Sequence, residues 1–257
     1  VSRLAVGVEY DGTAYSGWQQ QASASSIQAT LEQALSRIAD EPVEIICAGR
    51  TDAGVHAREQ VAHFDTHAKR TSTAWLLGTN TELPRDISLN WVRGVPDHFH
   101  ARYSAVTRSY RYLILNRAAR SALLAGRTLL VHQPLDIQAM QAGAQWLIGE
   151  HDFSAFRSSE CQSHSPVRML HSVRVTRSGA WVAIDLTANA FLHHMVRNIA
   201  GLLILIGQGR APPERAREQL ESRQRSTGAS TAAAHGLYLW QVEYPQQFGL
   251  PKDSAMI

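Results

Sequence analysis

The chain has 257 residues, 44% of them hydrophobic and 18% charged, with a formal net charge of +3. This near-average composition excludes wholesale disorder, collagen-like repeats and coiled coils, and the length suits one large domain or two compact ones. The longest apolar run, Ile199 to Ile206, is far shorter than the roughly 20 residues of a membrane span, and a strand-like pattern begins too early to leave room for a signal peptide; a cytoplasmic chain without a membrane role is expected.

In chain order, Leu4, Val6, Val8 and Tyr10 alternate with other residues as a half-buried strand does. Ile27, Leu31, Ala34, Leu35 and Ile38 fall on one helical face, with Ser25 and Gln28 spaced as a capping box. Val43 to Cys47 and Val61 to Phe64 are short apolar strands, Thr71 to Leu77 a short helix, and Ile87, Leu89 and Trp91 alternate again. The order β-α-β-β-α-β is the split, ferredoxin-like plan that RNA-recognition modules also use.

The second half repeats that order. Tyr110 to Leu115 is a strand, and Ile137 to Ile148 is a helix with a stripe through Met140, Ala144 and Leu147. Val173 to Thr176 and Trp181 to Thr187 form a hairpin across Ser178-Gly179. Residues 192 to 206 are helical and Leu237 to Tyr244 is a closing strand. Insertions lie around Gly149 to Met169 and Gln208 to Ala234, where Pro212 to Ala234 reads as a solvated helix and a loop. The expected fold is α+β: two pseudosymmetric β-α-β-β-α-β halves, residues 1–103 and 104–257, with joined antiparallel sheets and a central cleft.

Of the 25 basic residues only Lys69 and Lys252 are lysines. The arginine that makes up the rest suits phosphates and can stack on bases, although a GC-rich genome would also write arginine for lysine. Cys47 and Cys161 are too few for a disulfide framework or a four-ligand metal site, and Cys47 reads as a small buried residue.

Three clusters could carry chemistry. Ala48-Gly49-Arg50-Thr51-Asp52-Ala53-Gly54-Val55-His56 leaves a strand with glycines on both sides of a charged core. Arg50 there could meet a phosphate or base and Asp52 could act as nucleophile or base; the plain alternative is an Asx-turn beside a surface charge. Arg102-Tyr103-Ser104-Ala105 with Arg108-Ser109-Tyr110-Arg111-Tyr112 places two tyrosines on one strand face, either a platform for stacking bases or an ordinary packed strand. In Phe191-Leu192-His193-His194-Met195-Val196-Arg197-Asn198, a helix would set His193 and Arg197 one turn apart. Arg197 beside a buried stripe would need a partner such as a carboxylate. The adjacent histidines would diverge on a helix, and no third ligand completes a metal set. There is no P-loop, dinucleotide fingerprint or nucleophile elbow, so neither a metal nor a small-molecule cofactor is expected.

Taken together, Gly7-Val8-Glu9-Tyr10-Asp11-Gly12, Gly17-Trp18-Gln19, the Gly49 to His56 string, Phe99-His100-Ala101-Arg102, Tyr110-Arg111-Tyr112, Phe153-Ser154-Ala155-Phe156, His193 to Asn198 and Gly236-Leu237-Tyr238-Leu239 resemble the tRNA pseudouridine synthase A family. They follow the family order from Gly7 to about Tyr244. His235 stands where the family often has an acid, and Gln20 where a basic residue is common. The resemblance implies isomerisation of uridine to pseudouridine in the anticodon stem-loop of tRNA, near positions 38 to 40, by a cofactor-free homodimer. It implies Asp52 as nucleophile, Arg197 pairing with it, and Tyr110 stacking on the uracil and able to take the C5 proton. Arg50, Arg102, His193 and Leu237 would bind substrate. A non-catalytic pair of RNA-recognition-like modules would use the same arginines and tyrosines but would not need Asp52, and a small-ligand regulatory domain would leave the arginines unexplained.

Overall fold

The computed structural model describes residues 1–161, 163–224 and 230–251. It is an α+β structure with five α-helices and mostly antiparallel strands among the described residues. Two compact units emerge: Val1–Val106 together with the chain from Leu239 onward, and Thr107–Tyr238. Among the described residues no helix is long and apolar enough to cross a membrane.

The first unit runs β1 (Ser2–Tyr10), α1 (Ile27–Ala39), β2 (Ile46–Cys47), β3 (His56–Thr66), α2 (Ser72–Glu82) and β4 (Ile87–Val95). β1 lies between β4 and β3, antiparallel to both, and β2 pairs with β3 through Ile46↔His63 and Cys47↔Ala62. Strand β2 is shorter than its sequence suggests: Val43 and Ile45 are buried but stand outside the ladder. Helix α2 is longer, because Thr71 caps its start by accepting from the Ala74 amide and its pattern continues to Glu82.

Directly paired residues share a face of a sheet. Leu4 and Phe64 pair, Val6 and Ala62 pair, and the Phe64 ring meets Trp75 of α2 edge-on at 5.3 Å. That face takes the helices, α1 contributing Ile27, Leu31 and Leu35. The capping box is not formed. Ser26, one residue later than expected, accepts from the Ala29 amide, while Gln28 accepts from the Gln20 amide and donates to Glu32. The backbone carbonyl of Ser25 is meanwhile taken by the Ser16 amide, so the chain turns into the helix one residue further on.

The opposite face, through Ala5 and His63, is covered by the segment after β4 and by the chain's return. Phe99 packs on Tyr244 and Phe248 with ring centroids 5.2 and 5.0 Å apart. Arg3 holds the Asp65 carboxylate through two 2.7 Å bonds and donates to the Phe99 carbonyl, while the Tyr244 hydroxyl donates to the Ala101 carbonyl. His63 is buried under this cover, and its Nδ1 accepts from the Ala101 amide at 3.2 Å.

In the second unit, β5 (Thr107–Asn116) is followed by β6 (Leu129–Val131), α3 (Ile137–Gln145), β7 (Gly149–Asp152), β8 (Val167–Ser178), β9 (Trp181–Ala188), α4 (Met195–Gly207) and α5 (Arg215–Ser222). Its strands lie in the order β5-β9-β8-β7, antiparallel, with β6 parallel to β5. The hairpin turns at Gly179 as expected, but β8 begins at Val167 and recruits β7 from what reads in sequence as an insertion. Helix α3 packs on α4 and β8. Helix α5 is not wholly solvated, since Ala216, Gln219 and Leu220 are buried. In the loop expected after it, residues 225–229 lie outside the described residues. The final strand, β10 (Leu237–Glu243), takes the chain from Leu239 onward into the first unit, beside β3.

Burial first, then the neighbouring His100 and the Arg3 cation, push the His63 imidazole down to about 4, against a smaller upward pull from Asp65. The unfolded chain therefore takes up a proton near pH 6.5 that the folded chain refuses until about pH 4, so stability is full above that window and falls as pH drops through it. His63→Asn, which keeps an acceptor for the Ala101 amide, should flatten the dependence of the urea midpoint on pH between about 6.5 and 4.5; an unchanged slope would show that His63 is not the group responsible.

Candidate functional site

Asp52 lies in the loop between β2 and β3, and the loop's backbone is tied down along its length. The Ala48 amide donates to the Val61 carbonyl at 2.8 Å. The Gln60 side chain brackets Gly49, its Nε2 donating to the Gly49 carbonyl at 2.6 Å and its Oε1 accepting from the Gly49 amide. The Thr51 hydroxyl pairs with the buried Tyr10 hydroxyl at 2.7 Å. The Val55 amide closes a turn onto the Asp52 carbonyl at 3.1 Å. The Asp52 side chain itself is half-buried, and Arg50 is exposed.

The 12–18 segment lies against the same loop. The Trp18 amide donates to the Thr51 carbonyl at 3.0 Å, the Gly54 amide donates to the Tyr15 carbonyl, and Gly12 donates to Nδ1 of His56. Gly17 has φ +94°, and a Cβ there would stand 2.7 Å from the Thr51 carbonyl oxygen. Only glycine accommodates both that conformation and that approach. β-bulges lie close by: Val8↔Gln60 and Tyr10↔Ala57 leave an extra residue in β3, and Gly7↔Trp91 and Val8↔Leu89 leave one in β4. Such bulges bend a strand and re-aim its side chains.

Arg102 is exposed in the segment after β4. Arg102 and Arg50 both act on the ionisation of the Cys47 thiol, which burial nevertheless pushes up to about 12. Both arginines lie within electrostatic range of this buried side chain at the end of β2. Cys47 is a small core residue, as its place in an apolar strand suggests.

The remaining expected site residues belong to the second unit. Tyr110 is nearly buried on β5, and its ring meets Phe191 edge-on with centroids 5.0 Å apart. Tyr112 is no platform. It is fully buried, its hydroxyl donates to the Ala233 carbonyl at 2.8 Å, and burial raises its pKa despite an opposing pull from Arg197. A tyrosine two residues along the strand shares the face of its neighbour, but the segment before β10 closes over this one.

His193 and Arg197 are not one turn apart on a helix. Helix α4 starts at Met195, and His194, its N-cap, sits in the left-handed region at φ 64°. A non-glycine residue there is strained and is often found at functional positions. The bend stacks the two imidazoles at 4.1 Å instead of splaying them, and the His193 carbonyl accepts from the Ser158 amide. Arg197 grips the 230–232 segment: its Nε donates to the Ala232 carbonyl at 2.8 Å, and its own carbonyl accepts from the Ala232 amide. Asn198 reinforces this, donating to the Phe156 carbonyl and accepting from the Thr231 hydroxyl. Leu237 is buried just beyond Gly236, whose missing Cβ would lie 2.7 Å from the Tyr112 ring.

Tyr10, Thr51, Gln60, Phe191 and Asn198 are supporting residues with no role assigned from sequence.

Gly17→Ala and Gly236→Ala should each lower stability by about 1–3 kcal/mol, the first through strain and collision, the second through overpacking. Gly17→Ala should also speed hydrogen exchange at the Val55 amide. Wild-type denaturation midpoints for both variants would refute the close approaches described.

The family description "tRNA pseudouridine synthase" matches residues 7–104 and 144–245. Curated relatives named tRNA pseudouridine synthase A include that of Methylococcus capsulatus, 54% identical over 98% of this chain and 93% of its own length. That of Pseudomonas aeruginosa is also 54% identical, covering 98% of this chain and 89% of the relative, and that of Nitrosococcus oceani is 53% identical over 99% and 98%. With family matches in both units and about half of all residues shared along nearly full lengths, this chain belongs to the tRNA pseudouridine synthase family and is an enzyme of the isomerase class.

Proposed function

We propose that this enzyme isomerises uridine to pseudouridine in the anticodon stem-loop of tRNA, at about positions 38 to 40, with Asp52 as the nucleophile. The observation that carries the reading is the Asp52 loop: a half-buried carboxylate on a backbone fastened by Val61, Gln60, Tyr10, Trp18 and Tyr15. A solvated surface aspartate has no need of such a frame. A carboxylate that must meet one atom of a substrate does, because small misplacements of a reacting group are costly in rate.

The reaction breaks the bond between C1′ and N1, joins C1′ to C5, removes the proton from C5 and returns one to N1. The uracil must first leave its stack, at a cost of a few kcal/mol. Asp52 attacks the sugar or the base, or stabilises the sugar as N1 leaves, and any bond it forms is broken again as the C1′–C5 bond is completed. On the family resemblance, Arg197 is assigned to pair with Asp52, because a neighbouring cation favours the ionised carboxylate. Tyr110 is assigned to stack on the base. Of the two strand tyrosines it is the suitable one, since the Tyr112 hydroxyl is committed to Ala233. Arg50, Arg102 and His193 are assigned to the RNA and Leu237 to an apolar wall against the base. In this scheme residues 1–103 supply the nucleophile and residues 104–257 complete the site, the halves being pseudosymmetric and serving one uridine in the cleft between joined sheets. A homodimer in the cytoplasm, working without metal or organic cofactor, completes the proposal.

Release of tritium from C5-labelled uridine in tRNA is the direct test. Asp52→Asn should reduce release at least about a hundredfold, roughly 2.7 kcal/mol, while tRNA binding stays within a few fold because phosphate contacts carry most of the affinity. Substantial turnover by this variant would remove the nucleophile assignment. Tyr110→Phe keeps the ring and loses the hydroxyl. If the hydroxyl takes the C5 proton, release should fall about a hundredfold or more with binding intact. Wild-type turnover by Tyr110→Phe would leave Tyr110 as a stacking surface alone.

A further inference from the structure

The segment after β4 holds an aromatic ring that the proposed reaction does not use. Tyr103 is 75% exposed, on a backbone turn fastened by hydrogen bonds. Its ring lies 4.3 Å from the His100 imidazole at an interplanar angle of 33°, and His100 in turn lies 4.8 Å from the buried His63. The same imidazole sets the backbone: Nδ1 of His100 accepts from the amides of Arg102 and Tyr103, at 3.1 and 3.2 Å. Ser104 closes the turn, its amide donating to the His100 carbonyl and its hydroxyl accepting from the His100 amide. The Arg102 guanidinium lies 5.5 Å from the Tyr103 ring centre.

This turn leans on β3 opposite β2: the Ala101 amide donates to His63, whose partner across the ladder is Ile46, one residue before Cys47. The aspartate loop leaves β2 just beyond Cys47, and its exposed Arg50 is two residues from Asp52. The first unit thus brings the turn carrying Arg102 and an exposed aromatic ring to the strand pair from which the aspartate loop departs. Guanidiniums suit phosphates. An exposed ring packed against a neighbouring imidazole suits an unpaired base, because that packing meets part of the ordering cost of binding. Turning a uracil out of its stack leaves neighbouring bases with an unsatisfied face, which such a ring can cover.

We propose that Tyr103 is a stacking platform for an unpaired nucleotide of the RNA, beside a phosphate held by Arg102. The proposal rests on the RNA-modifying reading above and adds a contact to it.

Titration of a fluorescently labelled tRNA transcript with wild type, Tyr103→Ala, Tyr103→Phe and Arg102→Ala over a range of salt concentrations tests it. Tyr103→Ala should bind about 5- to 150-fold more weakly, with the salt slope unchanged, whereas Tyr103→Phe should bind as the wild type does. Arg102→Ala should lower the slope by about 0.7 to 0.9, one phosphate's worth. In tritium release, Tyr103→Ala should raise KM and leave kcat near wild type, and its unfolding midpoint should not move because the ring is exposed. Affinity of Tyr103→Ala within about twofold of wild type overturns the proposal. So does a loss in Tyr103→Phe equal to that in Tyr103→Ala, or a changed salt slope in Tyr103→Ala. A wild type that binds tRNA but releases no tritium sinks the proposed reaction while the binding comparison still decides Tyr103; a wild type that binds no tRNA overturns both.

Discussion

The contact between the Gly17 backbone and the Thr51 carbonyl is the constraint on which the aspartate loop depends. It is a place where two irregular segments touch without side chains between them, and it aligns Trp18, Tyr15 and Gly12 to hydrogen-bond with the residues around Asp52. Buried backbone groups outside helices and sheets must find partners, and here each segment supplies the other's. The sheet below contributes the other fastenings through Tyr10 and Gln60, and the bulges beside them end regular pairing close to where the loop begins. A loop held this way has its backbone fixed by Gln60, Tyr10 and the 12–18 segment on either side of the carboxylate.

Legibility in the sequence followed the range of the forces involved. Strands β1, β4, β5 and β9 and helices α1 and α3 could be read because their apolar period is written in adjacent residues. The capping box failed because the choice between Ser25 and Ser26 is decided by Ser16, a distant residue that takes the Ser25 carbonyl. β7 was missed because Gly149–Asp152 has no strand period of its own and pairs only where β8 offers an edge. The aspartate loop stood out through its glycines and charges. The residues that hold it did not, since Tyr10 and Gln60 look like ordinary strand positions until the fold shows what they touch. The helical reading of His193 failed for a related reason: apolar period locates the body of α4, whereas its start is fixed by a left-handed residue that composition does not announce.

In the second unit a single irregular stretch, residues 230–237, settles which polar groups are available. It is stitched to α4 through Arg197 and Asn198, takes the Tyr112 hydroxyl through Ala233, and lies against the Tyr112 ring at Gly236. Tyr112 is thereby spent on structure, and burial makes its phenol harder to ionise. The strand alternation that makes Tyr110 and Tyr112 look equivalent is real, but the covering segment gives them different chemistry. Leu237 enters β10 directly from this stretch, so its position is inherited from the same contacts.

The first unit uses imidazole in a consistent way. Nδ1 of His56 accepts from Gly12, Nδ1 of His63 from Ala101, and Nδ1 of His100 from Arg102 and Tyr103. An acceptor nitrogen carries no proton, so the bonds made to His63 and His100 require neutral rings. Burial and nearby positive charge lower the pKa of both His63 and His100, which favours that form. Arginine beside these two rings therefore acts together with burial: both keep the imidazoles in the form that accepts, and the turn carrying Arg102 and Tyr103 is held in part by those acceptor nitrogens. A neutral ring accepting a backbone amide, unlike an exposed ion pair, is not weakened by salt.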